Sequence, residues 1–370
     1  MKRHKHQCYH VMLTFSFQLT IMQYFKAYTK ADVLAHTQIR RFETKLGECV
    51  QVLNDPQHIE ASIASSNALF VLIGVPEDIG VRGNYGIGGA DTVWVPFLKS
   101  FLNIQSNDFL GGDNVLVAGH FDFSGFNSVI EVNAKTVEEK IEAYRHAVHT
   151  IDEALEPMVK LICQYKKIPI IIGGGHNNAY PCIKGAAKGL HKAGVIPLAQ
   201  INAINLDAHA DYRPAEGRHS GNPFRYADDD GYLQKYCVVG LHENYIPQNS
   251  WLDIVNNPFF DCITFEDIFL HGKRSFIQAV EHAVGFTADT YCGIELDADS
   301  IQNTLSSAVS PVGVLPNHAR QYVHYAASTA KVAYLHIAEA ATQLVDSRRN
   351  DSMGKLLSYF VSDFVKAFGK

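Results

Sequence analysis

Eight short apolar, β-branched runs recur along this chain, and stretches with helical periodicity separate several of them. The runs read as strands at Ala68–Val75, Asn114–Ala118, Ile168–Ile172, Ala203–Leu206, Tyr236–Leu241, Cys262–Phe265, Thr290–Leu296 and Val332–Ile337. Helices are expected at Thr136–Tyr165, Ala179–Ala193, Ser275–Val284, Asn317–Ala330 and Ser352–Phe368. Buried-type strands alternating with amphipathic helices imply an α/β protein with a mainly parallel sheet covered on both faces. Ligands of such sheets gather just beyond the carboxyl ends of the strands, so the chemistry is expected there. Residues 22–66 show little alternation, which places a boundary after residue 65: 1–65 as a helical and loop extension, 66–370 as the main domain. At 370 residues and 47% apolar composition the chain can bury a large core, which excludes global disorder.

Thirty-two Lys and Arg stand against 38 Asp and Glu, a net charge of −6 that leaves no broad basic footprint for nucleic acid. No apolar run approaches the roughly 18 residues of a membrane span. The seven cysteines are scattered and never form a C-x-x-C pair, the usage of a reducing compartment. Lys2, Arg3 and Lys5 ahead of Val11–Ile21 loosely resemble a secretory leader. Polar interruptions and the lack of a small-x-small cleavage site argue against one, and a true start at Met22 accounts for the segment equally well. A cytoplasmic protein is expected.

Three strand ends carry unusual polar clusters. In Ile170-Ile171-Ile172-Gly173-Gly174-Gly175-His176 the glycines allow a sharp turn that sets His176 at the strand mouth, as a ligand or as a hydrogen-bonded structural residue. The turn lacks the Lys-Ser/Thr of a P-loop. In Asp207-Ala208-His209-Ala210-Asp211 two carboxylates flank a histidine. Extended backbone, at about 3.3 Å per residue, would hold the two acids roughly 13 Å apart, so a shared site requires the chain to curl. In Gly293-Ile294-Glu295-Leu296-Asp297-Ala298-Asp299, Glu295 and Asp297 point to one face of a buried-type strand, where an acid needs a partner: a basic side chain or a cation.

Together His176, Asp207, His209, Asp211, Glu295 and Asp297 offer two imidazoles and four carboxylates. Without cations each close carboxylate pair would repel by about 4 kcal/mol at 4 Å and an effective dielectric of 20. Four acids balance two divalent ions, and an oxygen-rich set without thiolate suits manganese better than zinc. Paired metals activate water toward a carbon electrophile, which points to a hydrolase.

In this order the clusters resemble the metal motifs of the ureohydrolase family, which comprises arginase, agmatinase and formimidoylglutamase. Gly74-Val75-Pro76 and Gly83-Asn84-Tyr85-Gly86-Ile87-Gly88-Gly89-Ala90 are similar to its glycine-rich loop. The resemblance spans about residues 68–340. It implies a three-layer α/β/α sandwich around a sheet of about eight strands, a catalytic domain over 66–370, two Mn2+ per chain and a homo-oligomer. It also implies that His176 and Asp211 hold one ion, His209 and Asp297 the other, and that Asp207 and Glu295 bridge them. Glu295 stands where the family usually has Asp.

Asp211-Tyr212-Arg213 followed by Ser220-Gly221-Asn222-Pro223-Phe224 is most similar to formimidoylglutamase. A guanidinium fork suits a carboxylate, so Arg213 fits a dicarboxylic substrate, unless it pairs with a neighbouring acid. Ser220 and Asn222 are expected at the substrate head group or in turn chemistry, and Glu243 at the rim. Glu339, ending the strand Val332–Ile337, matches the family glutamate that faces the amidine, and Asp211 is the expected proton carrier. His219 and His242 are expected to be loop histidines. The resemblance thus implies hydrolysis of a small amidine, N-formimidoyl-L-glutamate, to L-glutamate and formamide. The alternatives are a guanidine hydrolase releasing urea, or a metal-poor family member without catalysis.

Overall fold

A computed structural model describes residues 23–368. Nine strands form one sheet in the order β1-β3-β2-β4-β9-β8-β5-β6-β7. They are β1 (Phe25–Ala27), β2 (Phe70–Gly74), β3 (Val115–Phe121), β4 (Ile168–Ile172), β5 (Ile201–Leu206), β6 (Leu233–Leu241), β7 (Phe260–Thr264), β8 (Cys292–Asp297) and β9 (Val332–Ala338). All neighbours run parallel except β1, which pairs antiparallel with β3. The eight expected strands each have a counterpart, and β1 is the addition.

Strand side chains alternate between two cores, as the pleat requires, except where a register shift between β8 and β9 puts Ala333 and Tyr334 in the same core. Phe70, Leu72, Ile170, Ile172, Leu335 and Ile337 pack against helices Trp94–Leu102, Phe276–Phe286, Pro316–Thr329 and Met353–Ala367. Val71, Ile73, Ile171, Ala333 and Tyr334 face helices Val137–Gln164 and Ala179–Lys192. The result is a three-layer α/β/α sandwich. Local chemistry starts the helices where the pattern places them: Thr136 and Glu139 close a capping box at the 28-residue helix, and Pro316 occupies the first turn of another.

The boundary expected after residue 65 does not appear as a break in the core. Phe25 pairs in the sheet, and Tyr28, Val33, Leu46 and Val50 are buried with the first helical layer. Three-residue β1 is too short to show period-two alternation, which is why residues 23–65 read as an appendage. The leader-like stretch and the start at Met22 lie outside the described residues. No helix among the described residues is long and apolar enough to cross a membrane.

β4 and β5 are consecutive in the chain, yet β9 and β8 lie between them in the sheet. The loops leaving β4 and β5 therefore straddle the ends of β9 and β8. Such a break in strand order opens a crevice at the carboxyl edge.

Candidate metal centre

The loop after β4 delivers His176. Gly174 has φ +83°, and a Cβ there would meet the Val75 carbonyl oxygen at 2.7 Å and Glu77 Oε1 at 2.8 Å. Only glycine allows that approach. Glu77, which the sequence reading did not single out, then pins the turn. Its carboxylate accepts from the amides of Gly175 (2.9 Å) and Ile79 (2.7 Å) and from the side chain of Asn178 (2.8 Å). Burial pushes the Glu77 carboxyl up to about 7 against the pull of these donors.

After β5 the chain does curl. Asp207 Oδ1 accepts from the His209 amide at 2.7 Å, and Asp211 adopts φ +46°, a left-handed conformation uncommon outside glycine. The curl brings Asp207 Oδ2 and Asp211 Oδ2 to 3.3 and 2.9 Å from His176 Nδ1. Asp297, the last residue of β8, places Oδ2 3.1 Å from the same nitrogen. The ligand atoms of His176, Asp207, Asp211 and Asp297 all lie within 4.8 Å of one another, and so do those of Asp207, His209 and Asp299. Asp207 belongs to both groups.

Glu295 is not among the acids that meet there. It lies two residues inside β8, fully buried, and its oxygens accept from Tyr334 Oη and face His336 Nδ1, both at 2.6 Å. The pair at the strand mouth is Asp297 and Asp299, with Asp299 Oδ2 3.3 Å from His209 Nδ1. Alternation puts residues 295 and 297 on one face without showing where the strand ends, and that end decides which acid reaches the crevice. Asp299 was the residue missed.

The donor set fits cations. Four carboxylates converge, and among the described residues every ion-pair partner of these acids is an imidazole of His176 or His209. His176 Nδ1 is buried with three acid oxygens within 3.3 Å but makes no well-directed hydrogen bond to any of them. Burial and the nearby Asp207 push the Asp211 carboxyl up to about 6. Burial and Asp299 likewise raise Asp297, whereas the two imidazoles overcome burial and hold Asp207 below the usual range. Charge this crowded is relieved by divalent cations on oxygen and imidazole ligands.

Above the acids opens a pocket of about 280 Å³. Its lining includes His209, Asp211, Asp297, Asp299 and Glu339, together with Asn84, Arg213, Ser220, Tyr245 and Ser307. Glu339, at φ +62°, has one oxygen accepting from the His176 amide and the other from the Ser307 hydroxyl, both at 3.0 Å. Burial, with Asp299 and Asp211 nearby, pushes its carboxyl up to about 8. Arg213 donates to Asn84 Oδ1 (3.0 Å) and to Glu216 Oε1 (2.9 Å), so the pairing with a neighbouring acid is real and still leaves the residue on the pocket wall.

Two expected substrate contacts lie elsewhere. Asn222 is buried beneath the loop, its side chain accepting from Arg218 Nη1 and the His219 amide and donating to the Gly217 carbonyl. It caps the turn before helix Pro223–Asp229 and does not line the pocket. Glu243 is exposed, accepts from Thr264 Oγ1 and does not line the pocket, which Tyr245 two residues on does. Asn84, within the glycine-rich loop, and Ser307 reach the pocket from segments distant in sequence; the motif marked the first segment without giving Asn84 a role, and no local pattern announced the second.

Comparison with known proteins adds the family. The model of the arginase family matches residues 97–359. A formimidoylglutamase of Streptococcus pyogenes serotype M5 is 26% identical over 208 residues, 54% of this chain and 62% of the relative. The chain thus spans under two thirds of the length of the curated relatives it matches. A formiminoglutamase of Trypanosoma cruzi, solved with Mn2+, superimposes with a TM-score of 0.66 at 21% identity, covering 89% of this chain and 99% of the other. A formimidoylglutamase of Bacillus subtilis gives 0.68 at 16% identity, covering 90% and 94%. These two likenesses show the fold.

Proposed function

The chain belongs to the arginase family, and we propose that it hydrolyses N-formimidoyl-L-glutamate to L-glutamate and formamide, with two divalent cations, manganese foremost. His176, Asp207, Asp211 and Asp297 would hold one ion, and Asp207, His209 and Asp299 the other. When bound, such ions neutralise the crowded acids and supply Lewis acidity that lowers the pKa of a water toward neutrality.

The observation that carries the substrate is a pocket lined by both signs of charge, the acids with Glu339 among them and the Arg213 guanidinium. Glu339, fixed at both oxygens, faces a cationic amidine. Arg213, steadied by Asn84 and Glu216, offers its remaining donors to a substrate carboxylate. Water adds to the amidine carbon, the bond from that carbon to the glutamate nitrogen breaks, and Asp211 carries the water's proton to the departing nitrogen. Relatives named formimidoylglutamase support this choice within the family.

The proposal includes a cytoplasmic setting, supported by six free cysteines among the described residues, and a homo-oligomeric assembly. The test is product analysis with Mn2+-equilibrated protein, where glutamate and formamide should appear in equal amounts. Arg213→Met should raise KM roughly 10- to 100-fold, the loss of a charge-assisted hydrogen bond worth about 1.5–3 kcal/mol. Urea release from a guanidine, with Arg213→Met unaffected, would instead assign a guanidine hydrolase. Absence of both bound metal and turnover would assign a non-catalytic member.

A further inference from the structure

β8 and β9 build a second polar set directly behind the acids. In their parallel register Gly293 lies opposite Tyr334, Glu295 opposite His336, and Asp297 opposite Ala338. Gly293 is what lets Tyr334 in: a Cβ there would meet the phenol oxygen at 2.4 Å. The ring therefore packs against Gly293 and its hydroxyl reaches Glu295 Oε1 at 2.6 Å, while His336 Nδ1 sits 2.6 Å from Oε2. Glu295, Tyr334 and His336 are each 0% exposed. Among the described residues no Lys or Arg pairs with Glu295, whose charged partners are two imidazoles. A buried carboxylate costs several kcal/mol unless its surroundings compensate it, by roughly the scale of a lost buried ion pair.

The second imidazole belongs to His176. Its Nδ1 faces Asp211, Asp297 and Asp207, so Nδ1 is the nitrogen that would meet a cation. A neutral imidazole with its lone pair on Nδ1 carries its proton on Nε2. Nε2 faces Glu295 Oε2 at 3.4 Å, a charge contact longer than a well-formed hydrogen bond. From this juxtaposition we infer that Glu295 is a positioning residue: it fixes the tautomer and ring orientation of His176 from behind, with Tyr334 and His336 holding its own carboxylate in place. The residue expected from sequence to bridge the ions acts one layer deeper, through the histidine. Carboxylate partners of this kind orient metal-binding histidines and raise their basicity.

The inference rests on the two-cation reading above, and the test separates the two. Mn2+ binding is titrated calorimetrically on the full chain, in wild type, Glu295→Gln and Tyr334→Phe. Glu295→Gln should weaken one of the two ions roughly 10- to 100-fold, the range seen for such outer partners, and leave the other within about threefold. Tyr334→Phe frees Glu295 Oε1 but leaves Oε2, the oxygen facing His176, held by His336, so it should weaken the same ion less than Glu295→Gln does and leave the other within about threefold. Equal loss in both variants, loss of both ions together, or unchanged binding in Glu295→Gln overturns the inference and leaves the two-cation reading standing. Wild type that binds no Mn2+ overturns the reading itself. Wild type loaded with 113Cd needs no variant: coupling from cadmium to His176 Nδ1, with a proton on Nε2, is expected, and cadmium coupled to Nε2 overturns the inference.

Discussion

Two clusters of buried charge lie side by side in this fold and are balanced in opposite ways. Arg218 and Asp152, both almost wholly buried, form a two-point pair at 2.9 and 3.1 Å, and the guanidinium is sandwiched between Tyr180 and Tyr226. Its other donors go to Asn222 Oδ1 and the Asn177 carbonyl, so this cluster is complete within the chain. Asn177 follows His176, where the second cluster begins. There the charged partners of Asp207, Asp211, Asp297 and Asp299 among the described residues are imidazoles alone. The first arrangement is what a fold builds when charge serves structure. The second is incomplete as protein, and the incompleteness is the evidence for an external cation.

The contrast can be broken from either side. The largest effect should come from Arg218→Met, which strands a buried Asp152: chemical denaturation of chelated protein should show about 3–5 kcal/mol of lost stability that added Mn2+ does not repair through this pair. Next is metal removal from wild type. An ion present at 100 times its Kd contributes about 2.7 kcal/mol, so chelation should lower the melting temperature in wild type and in Arg218→Met alike. Asp297→Asn should go the other way in chelated protein, raising stability by about 2 kcal/mol as repulsion falls, while Mn2+ affinity collapses. A loss of stability there would mean that the acids are already compensated within the chain.

The smallest expected effect concerns His219, in the loop of the complete cluster. Its Nδ1 accepts from the Gly221 amide, and burial together with Arg145 and Arg213 pushes the imidazole down to about 4. The folded value lies below the unfolded one near 6.5, so this stability is full above pH 6.5 and drains as pH falls toward 4. Between pH 7.5 and 5.5 the loss should be about 1.4 kcal/mol, absent from His219→Gln. Equal losses in both proteins would remove His219 from the account.

What could be read in advance follows the range of the interactions. Strands β2 to β9 are written in contiguous apolar runs, and the glycines and acids at their ends are local too. His176, Asp207, His209 and Asp211 come together because one tight turn and one curl suffice. Strand termination was not legible: period-two spacing cannot tell Glu295, held inside β8, from Asp299 beyond it. Nor were contacts made by distant loops. Asn84 reaches Arg213 across 129 positions and Ser307 reaches Glu339 across 32, whereas Asn222, beside the motif in sequence, turns inward to the loop it caps.

Metal stoichiometry in Asp299→Asn set against wild type tests the incomplete cluster most directly. Elemental analysis after equilibration with Mn2+ should find two ions per chain in wild type and one in Asp299→Asn, since only the group with Asp207 and His209 loses an oxygen. No bound metal in wild type, or two ions retained at undiminished affinity in the variant, would contradict the placement of cations among these acids.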